Sequence, residues 1–321
     1  MTYSKSLQGY FVSGLYTPVL LLVAALAVWV IPPFFCDVPQ QQFLGGTIGH
    51  IFSVVLSLLF YVLSSFLLYG LNIIERRVRW MPSMFVWLTA VYCSVECNVS
   101  NAFATLLFVA SLFMLMSCQQ SPDRARSLYS AFAMVGLSAL LQAEFLYLVP
   151  AFVLFLFIAN IFSIQGLFAA LLGLLTPFWL LFGSVYVCPS LSWLTYPFIN
   201  GVDGIFNFGT FEFSLLAVAV IASLLLLLLP ATVMFSTSST PSKPLLRRRM
   251  LFILLLNMYM LILGFVLPSS VELFSSLALP GVAVMATYIL SFKATKLSNC
   301  YFILVFLAWI ALFVCSLCLK Q

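Results

Sequence analysis

This chain has very little charge. Aspartate and glutamate number 8 among 321 residues, lysine and arginine 13, and together they make up 7% of the whole. A soluble globular domain carries about 25%. So few charges cannot cover a water-facing surface, so lipid must be the solvent for most of this one. Histidine is nearly missing: His50 stands alone, which excludes His-rich metal or haem ligation. The common catalytic strings are also absent. There is no Walker A, no Gly-rich dinucleotide loop, no Gly-x-Ser-x-Gly and no His-Glu-x-x-His. Any cofactor therefore stays unassigned, and no metal site is expected. No stretch is long or polar enough for a soluble domain, the longest polar connection being 189–212.

What the chain does have is apolar sequence, at 64% of residues. A membrane-spanning helix needs about 20 such residues. The candidate runs are 15–34, 51–74, 82–95, 101–118, 129–149, 151–165, 167–188, 213–235, 250–268, 273–291 and 300–319. A barrel would alternate in polarity, and these runs do not. The expectation is an all-α polytopic transmembrane bundle of about 11 spans, forming one integral membrane domain over 1–321. The polar stretch 236–249 divides a front bundle, 1–235, from a back three-helix bundle, 250–321. Pro150 separates two of the runs and cannot continue a helix ladder, so it predicts a tight reversal. Pro177 should kink the run that holds it.

The basic residues set the orientation. Lys5, Arg76, Arg77, Arg79, Arg124, Arg126, Lys243, Arg247, Arg248, Arg249, Lys293 and Lys296 fall in alternate loops. The intervening loops hold Asp37, Glu96, Asp203, Glu212 and Glu272 and no basic residue. By the positive-inside rule the N-terminus is cytoplasmic and the C-terminus periplasmic. The net charge of +5 is spread over short loops as topology anchors near lipid headgroups, so it is no sign of nucleic acid. The first apolar run follows Lys5 and lacks a small-x-small cleavage site, which predicts an uncleaved helix. Of the eight cysteines, Cys36, Cys93, Cys97 and Cys188 fall near the outer face, where a disulfide pair can form.

The remaining polar residues are the candidates for chemistry. Asp37 follows the first helix and His50 closes the same outer loop, where they either make an acid/base pair or hold a divalent ion, or are a solvated acid and a headgroup histidine. Glu144 lies six residues before Pro150, about 9 Å below the expected helix end. Burying its charge there costs about 3 kcal/mol. It should therefore face the interior, with Gln142, Tyr147 or a group from another helix in hydrogen-bonding reach. It is either a proton carrier or acid, or a structural tie. Asn160, Gln165 and Asn257 should bond between helices. The outer loop 189–212 carries Trp193, Tyr196, Asp203 and Glu212, which serve as interface anchors or as a platform for a sugar or lipid headgroup.

Two resemblances follow. Leu71-Asn72, Asn101-Ala102-Phe103, a basic loop leading to Ala131-Phe132, and Gly173-Leu174-Leu175-Thr176-Pro177-Phe178-Trp179 resemble an uncharacterised family of Bacteroidetes inner-membrane proteins. That resemblance implies a bacterial inner membrane and no particular reaction. The architecture also resembles membrane-embedded polyprenyl-phosphate-dependent glycosyltransferases, with Asp37 standing where their first-loop acid would stand.

Three functions remain open: an enzyme or assembly factor acting on lipid-linked envelope saccharides at the outer face, a secondary transporter using Glu144 for proton coupling, and a non-catalytic subunit that binds other membrane proteins.

Overall fold

The computed structural model describes residues 11, 14, 16–30, 47–70, 81–92, 99–205, 215–237, 244–267, 270–291 and 296–318. Every one of the eleven apolar runs holds an α-helix, and no strand occurs among the described residues. The helices are α1 (Thr17–Val30), α2 (Thr47–Gly70), α3 (Met81–Tyr92), α4 (Val99–Ser117), α5 (Arg124–Leu141), α6 (Val149–Ile158) and α7 (Ile164–Val187). They continue as α8 (Tyr196–Ile205), α9 (Leu215–Thr237), α10 (Pro244–Val266), α11 (Val271–Ser291) and α12 (Lys296–Cys318). Short 3-10 segments cover Ala143–Leu148 and Pro189–Leu194. Helix α8 and the segment before it occupy a stretch read from sequence as loop.

Among the described residues, four helices are long and apolar enough to cross a membrane: Val99–Ser117, Ile164–Val187, Pro244–Val266 and Leu273–Ser291. Their outer faces agree with that. On α7 only Gly166, Ala170, Gly173 and Pro177 are buried, while Phe168, Leu172, Leu175, Trp179 and Leu180 are exposed. A water-soluble protein rarely exposes so continuous an apolar face. This is a membrane protein.

Hydroxyls inside apolar helices must find partners, because lipid offers none. Many bond back onto their own helix, although the buried hydroxyls of Ser57 and Thr287 have no partner among the described residues. Thr105 Oγ1 donates to the Asn101 carbonyl, Ser138 Oγ to Met134 and Ser276 Oγ to Leu273. This arrangement lets serine and threonine occur through the core without interhelical pairing.

Helix α11 is the centre. Of its residues whose side chains are described, only Gly281 is not buried. It packs against α3, α4, α9, α10 and α12. The three helices after the 236–249 stretch are thus interleaved with earlier ones. Along one side, α4, α5 and α7 form a row. The α5–α7 contact is backbone to backbone: a Cβ on Gly173 would lie 2.3 Å from the Tyr129 carbonyl oxygen, and one on Gly136 would lie 2.7 Å from that of Leu174. Small residues permit this approach, as is usual between helices in lipid. Tyr129 Oη donates to Thr176 Oγ1 at 3.0 Å across the same contact.

The chain does reverse between α5 and α6. One continuous helix would put Phe132 and Phe152 about 30 Å apart, whereas their rings meet edge to face at 6.0 Å. The reversal is not made at Pro150, however. It begins at Gln142, whose backbone is extended (φ −147°, ψ 110°), and runs through the 3-10 segment. Pro150 sits in the first turn of α6. Proline forbids a helix interior but suits a helix start, where its missing N–H has no intrahelical acceptor.

Candidate functional site

The two ends of the bundle differ in chemistry. One end gathers arginines. Buried Arg249 donates from Nη2 to the Met116 carbonyl at 2.9 Å and from Nε to Gln119 Oε1 at 3.2 Å. This closes the C-terminus of α4, where the free carbonyls and the helix dipole favour a cation. Arg248 Nη1 reaches the Ala159 carbonyl at 3.5 Å, beyond the end of α6. Cys118 Sγ donates to the Arg124 carbonyl at 3.4 Å. Burial pushes this thiol up, and the nearby Arg124 charge partly opposes the shift. The ends of α4 and α6 and the starts of α5 and α10 therefore lie together.

The opposite end gathers neutral polar groups and an acid. Gln142 Nε2 donates to Asn101 Oδ1, joining the end of α5 to the start of α4. Its own Oε1 is buried without a partner among the described residues. Tyr259 Oη donates to the Tyr147 carbonyl at 2.7 Å, which fastens the 3-10 segment to α10. Ser270 Oγ donates to Glu144 Oε1 at 3.5 Å. Helix α8 lies against the same segment, with Gly201 so close that an added Cβ would meet that of Ala143 at 3.0 Å.

Glu144 is therefore not 9 Å inside a helix. Helix α5 ends at Leu141, and Glu144 stands in the first turn of the 3-10 segment, half-buried. The expected polar group from elsewhere in the chain is Ser270. Glu144 has no other hydrogen bond among the described residues.

The other candidates are placed unevenly. Asp37 and Glu212 lie outside the described residues. His50 lies in the first turn of α2, Trp193 in the second 3-10 segment and Asp203 in α8, and in each case only the backbone is described. Tyr196 opens α8 and is 56% exposed. Phe198, also on α8, packs its ring on Phe178 and Phe182 of α7 at 5.0 and 6.2 Å. Gln165 is exposed at the start of α7. Cys188 is exposed, and Cys36, Cys93 and Cys97 lie outside the described residues. No cluster of His, Cys, Asp or Glu suited to a metal ion occurs among the described residues.

Sequence alone did not reveal Asn101, Ser270 or Tyr259 as neighbours of the acid. They are 41 to 126 positions from their partners, and no local pattern encodes such a distance. Asn101 had a signal, as the first residue of Asn101-Ala102-Phe103. Among the other quoted residues, Phe132 meets Phe152, and Gly173 and Pro177 seat α7 on α5, whereas Leu175 and Trp179 are exposed. No protein-family model, no curated protein and no solved structure matches the chain.

Proposed function

We propose that this is a multi-pass protein of a bacterial inner membrane that binds the polar headgroup of a lipid-linked envelope saccharide at its outer face, with Glu144 as the acid that meets it. The observation that carries this proposal is the setting of Glu144. It is half-buried at a bundle end, and Ser270 is its one hydrogen-bond donor among the described residues. A carboxylate offers about four acceptor positions, so sugar hydroxyls find free ones. Exposed Tyr196 opens α8, which packs beside this turn and offers a ring on which a sugar can stack.

The proposed orientation is an N-terminus inside and a C-terminus in the periplasm after eleven spans. The gathering of Arg124, Arg248 and Arg249 at one bundle end supports it, because basic ends stay in the cytoplasm. Glu144 then faces outward. Proton coupling is the weaker alternative, since transporters place coupling sites near the bilayer midplane and Glu144 lies beyond a helix end.

Native mass spectrometry of the purified chain with a polyprenyl-phosphate-linked disaccharide tests this. The wild type should retain the ligand. Glu144→Gln should weaken retention about tenfold or more, the worth of a charged hydrogen bond, with an unchanged melting temperature. Equal retention by both proteins would end the proposal. Loss of proton uptake by Glu144→Gln in proteoliposomes would favour the transporter, and silence in both assays the non-catalytic subunit.

A further inference from the structure

Three consecutive arginines open α10, and they do not share one task. Arg249 is buried and hydrogen-bonded to the end of α4. Arg247 and Arg248 are exposed, as are Arg124 and Arg126 at the start of α5. Among the described residues none of these four meets a carboxylate. A cation at a helix N-terminus also opposes the helix dipole. Among the described residues no carboxylate neutralises these four guanidinium groups at this end, and an anion from outside would.

Apolar surface beside Arg248 says which kind of anion. Its contact with the Ala159 carbonyl sets the guanidinium at the 159–163 turn. Phe157 before that turn and Phe162 within it stack at 4.5 Å and are both exposed. Exposed Ile164, Phe168, Leu171 and Leu175 continue along α7. Gly166, next on that helix, packs against Leu128, two residues on from Arg126. The order is cation, ring pair, aliphatic run, which matches phosphate, glycerol and acyl chain. A free phosphate would use only the first part.

We infer that this end of the bundle holds an anionic phospholipid, its phosphate on Arg248 with Arg247 and Arg126 nearby, and its acyl chains along Phe157, Phe162 and Phe168. The inference is independent of the Glu144 proposal, because it concerns the opposite end.

The test uses the full chain in a neutral detergent, with phosphatidylglycerol, phosphatidylcholine of the same acyl chains, or inorganic phosphate added. Phosphatidylglycerol should raise the melting temperature and stay bound in native mass spectrometry, and phosphatidylcholine should do so less. Arg248→Gln should weaken phosphatidylglycerol retention about fivefold, the worth of one basic residue near an anionic surface. Arg248→Lys should keep most of it. Should Arg248→Gln fail to fold, Arg247→Gln and Arg126→Gln serve, since both side chains are exposed. Phe157→Ala with Phe162→Ala should lower retention while every arginine stays. Equal retention of the two lipids overturns the inference, as does unchanged phosphatidylglycerol retention in Arg247→Gln/Arg248→Gln. An equal stabilisation by inorganic phosphate overturns the lipid.

Discussion

At the scale of single residues, Asn160 shows how a polar side chain in an apolar run can have a backbone cause. In sequence it reads as a bond between helices. In the structure it is exposed, has φ 56°, and ends α6. Its N–H bonds to the Phe157 carbonyl and that of Ile161 bonds to Leu156, the paired closure of a Schellman stop. Asparagine tolerates left-handed backbone at little cost, whereas a branched residue there costs about 1–2 kcal/mol. Asn160→Gly should leave the melting temperature unchanged or slightly raised. Asn160→Val should lower it by that penalty, and an unaltered Asn160→Val protein would contradict the account. Asn257 also departs from expectation. Its Nδ2 donates to Ile253 of its own helix at 2.7 Å, and the side chain fills the space above Gly281.

At the scale of elements, helix contacts depend on which neighbour must give way. A Cβ at Gly173 meets backbone, which cannot move unless α5 and α7 separate. A Cβ at Gly281 would lie 1.9 Å from Asn257 Nδ2, the end of a side chain. Gly173→Ala should therefore be the more damaging, seen as the larger fall in melting temperature in detergent. Gly281→Ala should cost about 1–3 kcal/mol from overpacking, and adding Asn257→Ala should recover much of it. A simple sum of the two single effects would show that the two residues are not coupled. Pro150 teaches a related lesson. Proline marks both helix stops and helix starts, so sequence gives the existence of the reversal and misplaces it by several residues. The turn belongs to Gln142, whose partner Asn101 lies on another helix.

At the scale of the whole molecule, the helices were legible because apolar runs of this length have one satisfactory backbone in lipid. Their neighbours were not legible. Uniformly apolar helices carry little periodicity to say which face is inside, and α7 buries only a stripe of small residues. Arg248 and Arg249 reach the ends of α6 and α4, so these basic residues gather at one end of the bundle. The two ends make the proposed orientation testable with thiols. In a chain stripped of other cysteines, exposed Cys188 at the end of α7 should react with an impermeant maleimide on spheroplasts. A cysteine replacing Arg126 should react only after permeabilisation. Labelling of both from one side would remove the orientation and with it the outer-face role of Glu144.

The central place of α11 has a consequence for biogenesis. Synthesis runs at about 5–20 residues per second, and Val271 follows Tyr92 by 179 positions. Helix α3, one wall of the central seat, therefore waits roughly 10–40 s in the bilayer before the helix that fills it is made. During that interval the side chains that will face α11 meet lipid or a chaperone of the insertion machinery. A ribosome that stops after residue 267 leaves the earlier helices around an empty centre. Such a fragment is expected to be cleared by membrane proteases, whereas co-expression of residues 268–321 as a separate piece should protect it.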